Sequence, residues 1–383
     1  MRSVVLAALV VVSTATVTAA VSTAQPPDLG GPGTIVQSQP LPESELITNS
    51  AKGFRIVYRT TGQSGEPEVS GGDVFLPAGT PPPGGWRVIS WAHGTIGMTP
   101  GCAPNLDGGM AGDFNERPEL STYLAQGYAV EATDYIGLGA PGFYEYLAAR
   151  ADGHAVLDIV RAAHTLDPGL SESYVLAGHS IGGHSVLAGA QVSPSYAPEL
   201  DLRGTVAYAP TSNVEDLISA LARPGVPALP FLDGFKTRLL MSVAGLDHAR
   251  PDLHLTDYLT PLGNQLLAIA ETAQDCGTSF ESAAATQPTG QLFTKPLSDP
   301  AITEALRDYL TVPAAGFRQP VLLLQGAADT LQPIPTTLLL QQQLQQGATD
   351  SQLLLYPAAT HFTVLQQSDP DTASFLSRVL PTH

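Results

Sequence analysis

Between Ser173 and Pro210 the chain passes from an apolar segment, SYVLAG, through a helical one, GGHSVLAGAQV, to a second apolar segment, GTVAYAP. The outer two are short, apolar and bounded by turn residues, so they read as buried strands; the middle one reads as the helix crossing between them. The same alternation precedes them. RVISWAHGT and YAVEATD are strand-like, ELSTYLAQ is helix-like, and a helix near 152–165 sets Val156, Ile159, Val160 and Ala163 on one stripe. It resumes in QPVLLLQGAADT, TTLLLQQQLQQ, SQLLLYPAATH and DTASFLSRVL. Parallel strands joined by crossover helices have both faces covered, so the rhythm predicts an α/β protein with a mostly parallel sheet flanked by helices.

Three stretches depart from that rhythm. FRIVYRTT and DVFLPA, separated by the turn-rich GQSGEPEVSGG, predict an antiparallel, hairpin-like start. The Pro-, Gly- and Ser-rich residues 25–44 predict an irregular lead-in over the surface. Between 211 and 317, the helix-like SNVEDLISALA, LGNQLLAIAETA and PAITEALRDYL are joined by Pro- and Leu-rich loops with no buried strand. This predicts an inserted helical cap or lid that divides the α/β body into 25–210 and 318–383. The QQQLQQ patch, interleaved with Leu338, Leu339, Leu340 and Leu344, reads as a solvated helix face.

The first 24 residues carry one positive charge at Arg2, an apolar core from Val4 to Val12 and small residues suited to cleavage after Ala20 or Ala24. They read as a signal peptide, so the protein is expected to be secreted. As a membrane anchor the apolar run is too short, because a span needs about twenty residues; no integral membrane segment is expected once the signal is cleaved. Export makes Cys102 and Cys276 a candidate disulfide, two independent buried thiols being the other reading. A net charge of −18 with no basic run argues against nucleic acid as a partner. No H-E-x-x-H, EF-hand, Cys/His, P-loop or dinucleotide pattern occurs, so neither a metal nor a cofactor is expected.

Gly178, Ser180 and Gly182 have the G-x-S-x-G spacing of a nucleophile elbow. In a chain with 37 glycines the bare pattern arises by accident about one time in four. The strand before it and the helix after it are what the elbow requires: a sharp turn that lifts the serine hydroxyl above the sheet. A serine needs a base to take its proton and an acid to orient that base. Asp329 follows the strand PVLLLQG and His361 follows LLLYP, both downstream of Ser180 in the order this architecture uses. Asp134 also ends a strand but precedes the serine, so it is expected to brace loops near the site. His179 and His184 are read as packing or pocket-lining residues, and His93 as shaping its loop. Oxyanion donors are expected from the amide of Ile181 and from the loop after an early strand, where either Gly94 or Thr95 can serve.

Taken together, IVYRTT, SWAHGTIGMTPGCAP, ATDYIGLGAPG, LDIVRAAHT, GHSIGG, GAADT and THF resemble the secretory triacylglycerol lipases, the lipase-A-like branch of the α/β-hydrolases. The likeness covers most of the chain beyond residue 24. It implies a serine hydrolase of carboxylic esters, triacylglycerol or other lipid esters, with Ser180 as nucleophile, Asp329 as acid and His361 as base. It also implies a helical cap over an acyl pocket, transient contact with a lipid interface, and pairing of Cys102 with Cys276. The Leu- and Phe-rich ALPFLDGFKTRLLM is read in two ways, as an acyl-pocket lining or as the cap's own core. Accordingly an esterase for small or polymer-linked esters stands beside the lipase, and a non-catalytic exported binding protein on the same scaffold is a third reading.

Overall fold

The computed structural model describes residues 30–104, 115–227 and 233–382. The expected signal peptide, 1–24, lies outside the described residues.

The chain builds β1 (Ile35–Pro40), β2 (Ser50–Thr61), β3 (Pro67–Pro77), β4 (Trp86–Ala92), α1 (Arg117–Ala125), β5 (Ala129–Ile136), α2 (Ala149–Leu166), β6 (Leu170–His179), α3 (Ile181–Tyr196) and β7 (Asp201–Tyr208). Five helices follow without a strand: α4 (Val214–Leu221), α5 (Asp233–Ala249), α6 (Pro261–Thr272), α7 (Thr278–Ala285) and α8 (Pro300–Leu310). The chain then returns through β8 (Val321–Gly326), α9 (Ile334–Gln346), β9 (Ser351–Tyr356), α10 (Thr363–Gln367) and α11 (Asp369–Val379). Among the described residues these strands form one sheet in the order β1-β2-β3-β5-β4-β6-β7-β8-β9.

The β2–β3 pair is antiparallel, as the hairpin-like start predicts, and every pairing from β5 through β9 is parallel. The lead-in is more ordered than its composition indicates. Within 25–44, Ile35–Pro40 pairs antiparallel with β2 as an edge strand, and all of it but Ile35 is exposed. Its Pro and Gly neighbours bracket the strand, and Pro40 sits at its end, where an edge tolerates a missing donor.

Burial follows the two-residue period of the strands. In β4, Val88 and Ala92 join one hydrophobic core while Ile89 and Trp91 join the other. In β8, Val321 and Leu323 divide from Leu322 and Leu324 in the same way. Both faces of the parallel strands are therefore covered, which is why those strands read as unbroken apolar runs.

The strand-free stretch owes its helices to local signals. Thr260 caps α6 by accepting from the Gly263 amide, and Asp299 caps α8 by accepting from the Ala301 amide, each with Pro at the next position. Leu239, Leu240, Val243, Leu266, Phe280, Leu306 and Leu310 of these helices belong to the same core as α2 and α3. Cys102 and Cys276 are joined in a disulfide that fastens the loop after β4 to the segment between α6 and α7. Among the described residues no helix is long and apolar enough to cross a membrane.

Candidate active site

Ser180 sits between β6 and α3 with φ 59° and ψ −117°, a conformation that non-glycine residues rarely adopt. Hydrogen bonds on both sides hold it there. The Ser180 amide donates to the Tyr208 carbonyl at 2.8 Å, and the Ser180 carbonyl accepts from the Thr211 amide at 3.0 Å. The flanking glycines make the turn possible: a Cβ at Gly178 would strike the Gly182 carbonyl, and one at Gly182 the Ala92 carbonyl. Register places Ala92 beside Gly178 and Gly178 beside Ala207, so the ends of β4, β6 and β7 lie together below the serine.

Asp329 follows β8 and His361 follows β9, strands whose ends are also in register, Gly326 beside Tyr356. His361 Nδ1 lies 2.8 Å from Asp329 Oδ2. The carboxyl of Asp329 further accepts from Gln325 Nε2 at 3.0 Å and from the amides of Leu331 and Gln332 at 2.8 Å each. Burial pushes this carboxyl up, but the bond to His361 and its charge, with the two amides, outweigh burial and hold it below its ordinary value. An ionised carboxylate only accepts, so the proton sits on His361 Nδ1 and Nε2 keeps its lone pair. Burial pushes the His361 imidazole down to about 4 against the upward pull of Asp329.

Ser180 and His361 line one cavity, together with His93, Gly94, Thr95, Ile96, Glu116, His179, Arg238 and Phe362. At about 10 Å³ it has room for roughly one water. A larger cavity of about 150 Å³, bordered by His184, Thr211 and Glu215, shares none of these residues.

Of the amides expected to face an oxyanion, that of Gly94 is engaged, donating to Glu116 Oε1 at 3.0 Å. Thr95 is held through its side chain, 2.8 Å from the Tyr146 hydroxyl, and its amide has no acceptor among the described residues. Ile181 opens α3, where a first-turn amide has no partner within the helix.

The remaining polar residues divide by function in the fold. His93 Nδ1 lies 2.6 Å from the Gly94 carbonyl, and the His93 carbonyl accepts from Tyr135, so it shapes the loop. Asp134 is buried in β5 and contributes its carbonyl to His93 Nε2 at 3.5 Å; the acid bonded to His361 is Asp329. His184, on α3, lies 2.7 Å from the Leu310 carbonyl through Nε2 and does not border the Ser180 cavity. His179 does border it, and does more than pack: Nδ1 is 2.8 Å from Glu116 Oε1 and Nε2 is 2.9 Å from the His361 carbonyl.

Glu116 and Arg238 are the two ionisable residues of this cavity that sequence reasoning passes over. Glu116 is buried, accepts from Trp91 Nε1 at 2.9 Å and from the Gly94 amide, and lies 2.8 Å from His179 Nδ1. It thereby ties β4, the loop after it and the residue before Ser180 to a single carboxyl group. Its partners are 22 to 63 residues away in the chain, so no local motif announces it. Arg238 lies on α5 among Phe235, Leu239 and Leu240 and reads locally as a helix residue between core positions.

The family model described as Secretory lipase matches residues 115–378. Lipase A of Moesziomyces aphidis is 28% identical over 234 residues, covering 58% of this chain and 46% of that protein, so the match spans about half the length of that relative. A probable inactive lipase of Mycobacterium tuberculosis is 27% identical over 321 residues, 78% of this chain and 68% of that protein. Candida antarctica lipase A in its closed state superposes with a TM-score of 0.75 at 22% identity, covering 92% of this chain and 84% of that one. The superposition, with the strand order and crossover helices above, makes the fold that of the α/β-hydrolases, and the match over 115–378 means that the chain belongs to the Secretory lipase family.

Proposed function

We propose that this protein is an exported serine hydrolase that cleaves carboxylic esters of lipids through an acyl-enzyme. The observation that carries the reading is the convergence of a strained Ser180 and an Asp329-bonded His361 on one cavity at the carboxyl ends of three strands. His361 Nε2 takes the Ser180 proton as Oγ attacks the ester carbonyl, and Asp329 stabilises the imidazolium that forms. The oxyanion is held by the amides of Ile181 and Thr95, the Gly94 amide being engaged by Glu116. Collapse expels the alcohol, which receives the proton from His361; water then repeats the cycle and releases the acid.

The helical stretch 211–317 acts as the cap, and residues 1–24 as the signal that the family's description as secretory leads one to expect. An esterase acting on smaller esters is the second reading, and one observation favours it. Phe235, Leu239, Leu240 and Met241 of the ALPFLDGFKTRLLM stretch pack into the core and do not line the Ser180 cavity; residues 228–232 of that stretch lie outside the described residues.

The test compares wild type with Ser180→Ala on p-nitrophenyl esters from short to long chain and on emulsified triglyceride. The wild type should hydrolyse both classes and the variant neither. Wild-type inactivity on all of them would refute the reading, and activity confined to short esters would replace the lipase with the esterase.

A further inference from the structure

Among the described residues of the ALPFLDGFKTRLLM stretch, the one that borders the Ser180 cavity is a cation. Arg238 is 8% exposed and borders the cavity with Ser180, Thr95 and His361. Its Nη1 donates to the Gly234 carbonyl one turn back on α5, while its Nε is buried with no partner among the described residues. No carboxylate among the described residues pairs with it. Glu116 borders the same cavity, but its oxygens accept from Trp91 and Gly94 and one of them meets His179 Nδ1 at 2.8 Å.

A guanidinium taken out of water without a counter-ion is costly, by several kcal/mol in general. A pocket serving only neutral esters gains nothing from it. The guanidinium fork matches a carboxylate in two parallel hydrogen bonds, and it keeps its charge at any working pH. In a chain of net charge −18, an arginine buried beside Ser180 with no carboxylate partner among the described residues is an uncommon arrangement.

We propose that Arg238 is an anion-recognition residue of the Ser180 pocket, binding a carboxylate that is either a second acid group on the ester substrate or the acid product of hydrolysis. The inference rests on reading this pocket as an ester-hydrolase site. Both sources present the same chemistry to the guanidinium, so they are separated by experiment.

In the first arm, octanoate and its uncharged counterpart octanamide are titrated calorimetrically into Ser180→Ala and into Ser180→Ala carrying Arg238→Met. Loss of one charge-assisted contact should weaken octanoate by about tenfold or more and leave octanamide where it was. In the second arm, the kcat/KM ratio of mono-p-nitrophenyl glutarate to p-nitrophenyl valerate is measured with Ser180 intact. The ratio should fall about tenfold in Arg238→Met and recover in part in Arg238→Lys.

A fall confined to the ester ratio assigns Arg238 to the substrate's acid group; a fall confined to octanoate assigns it to the product. If neither moves, the proposal is overturned. Arg238→Gln, which keeps hydrogen bonding without charge, replaces the methionine variant if that one does not fold, with the same losses expected. Should the wild type cleave neither ester while octanoate binding still depends on Arg238, the hydrolase reading fails and the anion site stands.

Discussion

Two pairs of buried carboxyl groups lie in contrasting surroundings. At the carboxyl ends of the parallel strands, Asp329 accepts from His361, Gln325 and two backbone amides, and Glu116 accepts from Trp91 and Gly94 and meets His179 Nδ1. On the face of the sheet covered by α2, neither oxygen of Glu131 meets a donor among the described residues, and Asp152 accepts from Ser185 at 3.4 Å. Burial is nearly complete in both places. At Asp329 the donors outweigh it and hold the carboxyl below its ordinary value; at Glu131 and Asp152 burial wins and drives the carboxyl well above its own. What makes one group an anion that can steer a histidine and the other a neutral filler is the supply of donors, not depth.

The strongest way to break this contrast is Asp329→Asn. The amide offers an N–H where His361 needs an acceptor, so the imidazole turns to the wrong tautomer. Steady-state kinetics should show kcat lower by on the order of 10⁴-fold with KM little changed. A loss below tenfold would remove Asp329 from the mechanism.

Glu116→Gln probes the second donor-rich carboxyl. The new NH₂ group faces the N–H of Trp91 or of Gly94, and a small displacement of the loop after β4 is expected to cost rate rather than binding. The expected loss in kcat is roughly ten- to a hundredfold, with KM holding. Equal losses in kcat and stability would make Glu116 a structural residue only.

The pH profile sharpens the contrast without mutation. Activity needs a neutral His361 and is lost as pH falls through the pKa of the folded protein. Since burial pushes that value down to about 4, the acid limb of kcat/KM should fall near there, below the range of an ordinary imidazole. A limb at the ordinary value would contradict a burial of His361 that pushes its imidazole down.

The smallest effect is expected at the other carboxyl. The unfolded chain ionises Glu131 above its ordinary pKa, while the folded protein keeps it protonated, so this residue costs stability as pH rises. Glu131→Met removes that cost along with an unpaired polar group. Chemical denaturation should show a gain of about 1–3 kcal/mol near pH 8 that shrinks toward pH 4. A variant less stable than wild type at pH 8 would show that Glu131 has a donor after all.

The same contrast explains what was legible in the sequence. Ser180, Asp329 and His361 each follow a short apolar run in the chain order of the fold, so period and turn chemistry find them one at a time. β1 was hidden by its own brackets, Pro and Gly on either side masking a six-residue edge strand. Glu116 stands in NERPEL, which announces only the start of α1, because its meaning comes from Trp91, Gly94 and His179, which only folding brings to it. Arg238 stands in a helix whose neighbours are core residues, and nothing in the local pattern shows which way one position in that turn faces. The choice between Gly94 and Thr95 likewise waits on Glu116, whose carboxyl occupies the Gly94 amide and which no local pattern connects to it.

The most direct measurement is labelling with a fluorophosphonate, which phosphonylates only a serine made nucleophilic by its neighbours, followed by mass spectrometry of the digest. One adduct per chain on the peptide bearing Ser180, absent from Ser180→Ala and strongly slowed in Asp329→Asn, is the predicted result. No adduct on the folded wild type, or an adduct on another serine that survives Ser180→Ala, would contradict the account.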